Sequence, residues 1–315
     1  MSDINTPGTN SSGSSRTQPA TVRVQSVLYG NDYKSVERAV LSLGRSAELA
    51  IEGGHLSRVE VAYGDSSPTP CLSDEQIGQL RALYPSALAV EYDFFSGNLG
   101  SARGHNRLAS NAGTDFLLIQ NPDVVVSPRL LETLLATFDS DTTGMAEAKQ
   151  LPIEHPKDYD PSTGETSWAT TACAMIPVPL FQRLGGFDAD TFFLYCDDVD
   201  FSWLVRLAGY KVIFQPAAVV FHDKRLSNTG QWQPSDAERY YAAEAALMLA
   251  HKWSRSDIVK AILKDFGTNG NEFTLKAKST FEQRQTEGKL PTPIDPTHDV
   301  GEFRNGFYAK HRYAL

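Results

Sequence analysis

Cysteine is scarce in this chain of 315 residues: only Cys71, Cys173 and Cys196 occur. They form no CxxC pair, and an odd number cannot pair off completely within one chain, so a disulfide scaffold is not expected. Thiols buried as small hydrophobes in a reducing cytosol are the simpler reading. Long apolar runs are also missing. None approaches the roughly 20 residues that span a bilayer, so no transmembrane segment is expected and the protein reads as cytoplasmic, or at most peripheral on the cytoplasmic face of a membrane. Basic residues are outnumbered, with 29 Lys and Arg against 38 Asp and Glu, a formal net charge of -9 and a pI near 5.3. An acidic chain repels a phosphate backbone, which excludes nucleic acid as a general partner. Phosphates can still be bound locally, through a metal ion or a few placed cations. The N-terminus, MSDINTPGTNSSGSSRTQPA, lacks an apolar core; it reads as a disordered arm over residues 1–20 and not as a secretory signal.

What is present suffices for a folded core: 41% hydrophobic and 21% charged residues. The β-branched stretch TVRVQSVLY (21–29) predicts a strand ending at the breaker GND. Val36, Ala39, Val40 and Leu43 then recur at helical spacing, with Gly44 in position to end that helix. Strands over 58–64, 89–95 and 115–120 alternate with a helix near 73–84 and with a Gly-rich turn opening a helix over 97–113. Such alternation implies βαβ crossovers and an α/β fold with a mainly parallel sheet flanked by helices. Ligands of such sheets gather beyond the carboxyl ends of the strands, where the residues after Tyr29, Gly64, Phe95 and Gln120 all fall. Downstream, residues 127–138 read as a helix and 139–167 mostly as loop, with one short strand near 145–151. FFLY (192–195) reads as an apolar strand, GYKVIFQP (209–216) as a strand stopped by proline, and 235–253 as a helix with Ser235 and Glu238 in capping-box spacing. A domain over 21–225 and a helical C-terminal extension and tail over 226–315, whose aromatics Phe303, Phe307, Tyr308 and Tyr313 are placed to pack on the domain or a partner, complete the layout.

Three segments carry chemistry. Asn121-Pro122-Asp123 is a good turn tripeptide, but at a strand end Asp123 would also reach a hard cation on a diphosphate. In CDDVD, Asp197, Asp198 and Asp200 repel one another. A helix N-terminus relieves that repulsion, and so does a cation or a shared proton. His222 closes the apolar run AAVVFH; a lone histidine is more often a packed structural residue than a ligand, though imidazole is a common ligand for borderline metals.

Their order along the chain adds what each lacks alone. GNLGSARGHN, FLLIQNPD, GGFDADTFFLYCDDVDF and AGYKVIFQPAAVVFH together resemble the family 2 glycosyltransferases, particularly the rhamnosyltransferase-like and galactofuranosyltransferase-like branch. The resemblance spans roughly residues 22–222 and is densest from 97 onward. It implies the GT-A fold, a nucleotide-diphosphate sugar donor (dTDP-rhamnose first, a UDP-sugar second), a glycan or glycolipid acceptor and inversion at the anomeric carbon. It also implies a divalent cofactor, Mn2+ or Mg2+, held by Asp123 and His222, with Asp198 as general base and Asp197 beside it. Asn121 and Asp123 map onto the metal and diphosphate motif. Asp65, in YGDSSP, stands where the family has its nucleotide-binding turn. Asn98, Arg103 and Asn106 are expected on the diphosphate side, and Trp168 and Tyr195 as stacking platforms for acceptor sugars. The sequence departs from the family pattern in having Asp-Asp for the usual Glu-Asp, Leu204 where an arginine is common (Arg206 lies nearby), and Thr171-Ala172 for Gly-Ala. The alternatives are a nucleotidyltransferase of similar fold and a catalytically silent nucleotide-sugar-binding subunit.

Overall fold

The computed structural model describes residues 18–155, 157–222, 234–304 and 306–309. Most of the expected N-terminal arm, the 225/226 boundary and Tyr313 lie outside these residues. Four parallel strands open the chain: β1 (Ala20–Leu28), β2 (Leu56–Asp65), β3 (Leu88–Phe94) and β4 (Phe116–Gln120), joined by α1 (Tyr33–Glu52), α2 (Asp74–Ala82) and α3 (Gly100–Ala109). The remaining strands are β5 (Val124–Val126), β6 (Thr143–Leu151), β7 (Glu165–Thr166), β8 (Cys173–Pro177) and β9 (Lys211–His222). The sheet order is β3-β2-β1-β4-β8-β6-β9-β5, with β7 paired to β9. Because β8 runs antiparallel to both β4 and β6, and β9 runs parallel to β6, the carboxyl ends of β1, β2, β4, β6 and β9 share one rim.

Helix α1 runs past Gly44, contrary to the expected stop there. Its apolar stripe continues through Ala47 and Ala50, and Gly44 is needed inside the helix because a Cβ there would sit 2.0 Å from the Tyr84 ring. The strand expected near 145–151 forms as β6 and begins two residues earlier, at Thr143, as a central strand of the sheet. It is buried on both faces, so its sequence TGMAEAKQL shows no alternation to read. Strand β9 passes through Pro216 instead of stopping there. The ladder skips from Gln215 opposite Ala148 to Val219 opposite Lys149, so the proline lies in an irregularity that demands no N–H from it.

Helices α4 (Leu130–Ala136) and α5 (Val178–Arg183) cover the sheet, and α6 (Asp197–Leu207) packs beneath the rim. The C-terminal helices α7 (Asp236–Lys252), α8 (Ser256–Asn269) and α9 (Glu272–Thr286) share a core with α6, built around Trp168, Trp203, Trp253 and Phe281. Helix α7 carries the expected capping box of Ser235 and Glu238. Two polar contacts lock this core. Asp200 accepts from the Lys252 ammonium and the Trp253 indole at 2.8 and 2.9 Å, both buried. Removing one partner of such a pair costs about 3–5 kcal/mol. The third acid of CDDVD therefore serves the fold.

Candidate active site at the sheet rim

Register explains how two distant segments meet. After β4 the chain turns through Asn121-Pro122-Asp123 and enters β5, where Val124 pairs with His222 of β9. That pairing sets Asp123 beside the imidazole, with Oδ1 3.5 Å from Nε2. Asn121 closes the other side, its Nδ2 3.3 Å from the same nitrogen. Behind the ring, Nδ1 lies 2.9 Å from Oε1 of Gln150, a buried residue of β6. Among the described residues no cluster of three His, Cys, Asp or Glu side chains converges on one point. Two protein ligands fit a cation that shares its remaining positions with a diphosphate and water. Neighbouring ligands of an octahedral ion about 2.1 Å from the metal stand about 3 Å apart, close to the Asp123–His222 separation.

The acid pair is placed by an irregular segment, and the strand expected at FFLY does not form. Tyr195 and Cys196 both adopt left-handed backbone, φ 70° and 59°, immediately before α6. Such conformations cost on the order of 1–3 kcal/mol each in non-glycine residues and need outside support. Support comes from α3, whose Ser101 N–H donates to the Phe193 carbonyl at 2.9 Å. Gly100, φ +70°, makes the approach possible, since a Cβ would lie 2.3 Å from that carbonyl oxygen. Asp197 is then buried at 3% exposure, with Oδ2 lacking a partner. Burial, reinforced by the neighbouring Asp198 charge, pushes its carboxyl up to about 7. Asp198 is half-buried and accepts from the Val199 N–H at 2.9 Å and the Thr171 N–H at 3.4 Å. The next residue, Ala172, accepts the Asn121 N–H at 3.0 Å. The Thr171-Ala172 segment thus ties the acid pair to the cation corner.

Asp65 ends β2 fully buried and accepts from Ser67 and Cys71 N–H at 2.8 Å each and from the Tyr92 hydroxyl. Burial opposes its ionisation, but the hydrogen bonds from Ser67, Tyr92 and Cys71 outweigh it and hold the carboxyl below its usual value. Asn98 accepts the Gly100 N–H at 3.0 Å, and Arg103 reaches Asp190 at 2.7 Å across an exposed pair. Asn106 departs from the expected diphosphate role: its amide clamps the backbone of Phe187, donating to the carbonyl at 2.7 Å and accepting from the N–H at 2.9 Å. Both ends of that side chain are occupied by the Gly-Gly-Phe loop. A cavity of about 490 Å³ lined by Arg23, Arg81 and Arg107 lies by the C-terminal end of α3. Its arginines are held by Glu60, Glu91, Asp93 and the Val90 carbonyl, so it adds nothing to the rim.

Trp168 is also corrected. It is 4% exposed, with the Lys157 ammonium 4.1 Å from its ring centroid and the Tyr308 ring perpendicular to it, centroids 5.2 Å apart. It anchors a loop and offers no open face. Tyr195 is half-buried and donates to Glu238 of α7 at 3.1 Å. Arg206 turns away from the acids, to the Val300 carbonyl and Glu302, both at 2.8 Å.

No family model matches the chain. It is 24% identical over 239 residues to the N-acetylglucosaminyl-diphospho-decaprenol L-rhamnosyltransferase of Mycobacterium tuberculosis, covering 61% of this chain and 73% of that protein. It is 24% identical over 199 residues to rhamnosyltransferase WbbL of Escherichia coli K12, covering 49% and 75%. The chain is thus similar to rhamnosyltransferases, in line with the resemblance its motifs bear to the family 2 glycosyltransferases. Solved structures agree on the GT-A fold. GalNAc-T7, determined with UDP, GalNAc and Mn2+, matches at a TM-score of 0.61 and 14% identity over 87% of this chain, which spans 56% of that one. The mannosyltransferase PcManGT from Pyrobaculum calidifontis, with GDP-Man and Mn2+, matches at 0.51 and 16% identity, covering 87% and 83%.

In this chain several residues near the candidate site carry no signal in the sequence. Gln150 sits in β6, a strand whose two-sided burial gives no sign of which side chains face the rim. Glu147 and Lys157 form a buried ion pair under the Thr170 segment, and burial pushes Glu147 up to about 7 against the pull of Lys157. No local pattern announces either, because each acts on a residue far along the chain.

Proposed function

We propose that the protein transfers a sugar from a nucleoside-diphosphate donor, dTDP-rhamnose first and a UDP-sugar second, to a hydroxyl of a glycan or glycolipid, with inversion. The observation that carries this reading is the pairing of Asp123 with His222 and of Asp197 with Asp198 on one rim, joined through Thr171-Ala172. Asp123 and His222 would hold a divalent cation, Mn2+ or Mg2+, which when bound neutralises charge on the departing diphosphate.

The rest of the chemistry falls to the chain. Asp198 is the more open of the two acids and accepts the proton of the incoming hydroxyl as that oxygen bonds to the anomeric carbon. The bond from that carbon to the diphosphate breaks on the opposite face, through an oxocarbenium-like transition state. Asp197, buried and proton-retaining, holds the position of its neighbour and leaves Asp198 as the ionised member. Asp65 fixes the nucleoside end through the turn it organises, with Asn98, Arg103 and Asn121 toward the phosphates. Tyr195 stands on the acceptor side.

The relative from M. tuberculosis is named for an N-acetylglucosaminyl-diphospho-decaprenol substrate, so a polyprenyl-diphosphate-linked amino sugar is the acceptor to try first. The test offers the protein a panel of nucleotide sugars with Mn2+ and such an acceptor. Release of nucleoside diphosphate with one donor, and an inverted anomer by NMR, are expected. Release with none, or a product of retained configuration, would refute the reading.

A further inference from the structure

We propose that Gln150 is a positioning residue that sets the imidazole tautomer of His222. The inference rests on the reading of Asp123 and His222 as a cation site and names a residue behind it. An imidazole ligates through a lone pair, and only one ring nitrogen of the neutral form carries one. Gln150 Oε1, 2.9 Å from Nδ1, can only accept, so Nδ1 carries the hydrogen and Nε2 keeps its lone pair toward Asp123. On the far side of the ring the Asn121 amide lies nearer to Nε2 than the Asp123 carboxylate does, at 3.3 against 3.5 Å. Asn121 presents its amide nitrogen to Nε2 at 3.3 Å, a donor that requires an acceptor there. Two amides on opposite sides of the ring thus specify one tautomer, the one competent to ligate.

As a packing residue Gln150 is a poor choice. It is fully buried, and its Nε2 has no hydrogen-bond partner. Methionine would fill a similar volume without leaving a polar atom stranded. The side chain is fixed at its root, where its backbone N–H donates to Glu154 at 2.7 Å and its residue pairs with Val220 in the β6–β9 ladder. Were the amide turned over, its N–H would face Nδ1, the ring hydrogen would move to Nε2, and a proton would occupy the cation's direction. Partners behind a metal-bound histidine act in this way, and their loss weakens metal binding about 10- to 100-fold.

The test uses the full chain as Gln150→Met, Gln150→Glu and His222→Ala variants. Long-range proton–nitrogen NMR of the metal-free protein, at a pH where the ring is neutral, reports the His222 tautomer. Electron paramagnetic resonance of free Mn2+, with and without dTDP, reports affinity. Wild type should show hydrogen on Nδ1. Gln150→Met should lose that preference and bind Mn2+ about 10- to 100-fold more weakly, while Gln150→Glu, which restores an acceptor, keeps both tautomer and affinity. Hydrogen on Nε2 in wild type would overturn the inference, even if Gln150→Met failed to fold. So would a Gln150→Met variant with unchanged tautomer and affinity. Unchanged Mn2+ affinity in His222→Ala would instead sink the cation-site reading, leaving the tautomer result to stand by itself.

Discussion

The backbone N–H of Thr171 points at Oδ2 of Asp198, 3.4 Å away, and the carbonyl of the next residue, Ala172, holds the Asn121 N–H at 3.0 Å. The proposed base and the proposed cation corner therefore hang on adjacent peptide groups. Whatever moves this segment moves both.

The cation corner predicts unequal losses. Asp123→Ala removes a charged ligand and should weaken Mn2+-dependent donor binding more than His222→Ala, which removes a neutral one. Calorimetric titration of donor with and without Mn2+ checks this. Equal metal dependence in wild type and both variants would take these residues out of the site.

Gly100 is predicted to be intolerant. Gly100→Ala must fit a methyl 2.3 Å from the Phe193 carbonyl oxygen at φ +70°, which costs about 1–3 kcal/mol of strain. The displaced segment is the one leading into Asp197, so turnover should fall together with melting temperature. A variant with lowered melting temperature and native turnover would show that Phe193 does not position the acids.

Residues 300–304 and 306–309 strap the loop that carries Asp158 and Trp168, on the side proposed for the acceptor. Tyr308 abuts Trp168, Arg304 pairs with Asp158, and Phe303 lies 5.1 Å from Trp203. Tyr308→Ala should cost about 3 kcal/mol, in line with deletion of a buried aromatic ring. It should also raise the acceptor KM with little change in donor affinity. An unchanged acceptor KM would reduce the strap to a purely structural role.

Asp197 gives a pH signature. Its carboxyl titrates near 7 in the fold against 3.8 as a free group, chiefly because of burial. The folded state therefore holds this proton more tightly than the unfolded one. The stability it contributes is complete below about pH 4 and is lost as pH rises through about 7. Asp197→Asn carries no charge to bury, so its melting temperature should gain on wild type as pH rises from about 4 to 8. A difference that does not vary with pH would contradict the buried, raised carboxyl.

Much of this was legible in the sequence, and what was not has physical causes. Strands β1 to β4 and the capped helix α7 announce themselves through periodicity and caps, and NPD, DD and His222 through their order. Strand β6 was read two residues short, and the second half of β9 was missed because its proline sits in an irregularity of the ladder. Asn106 and Trp168 looked functional by position, but their partners, Phe187, Lys157 and Tyr308, are set by tertiary packing. Gln150 was invisible for the same reason: its meaning depends on a histidine two strands of sequence away and next to it in the sheet.

The central claim is that Asp198 takes the acceptor's proton. Asp198→Asn keeps the size of the side chain and removes the proton-accepting charge. Initial rates and donor affinity measured on Asp198→Asn beside wild type, with Mn2+ present, test it most directly. A base that acts in the transition state predicts a turnover loss of about 10²-fold or more with donor affinity nearly unchanged. Near-native turnover in Asp198→Asn would contradict the account.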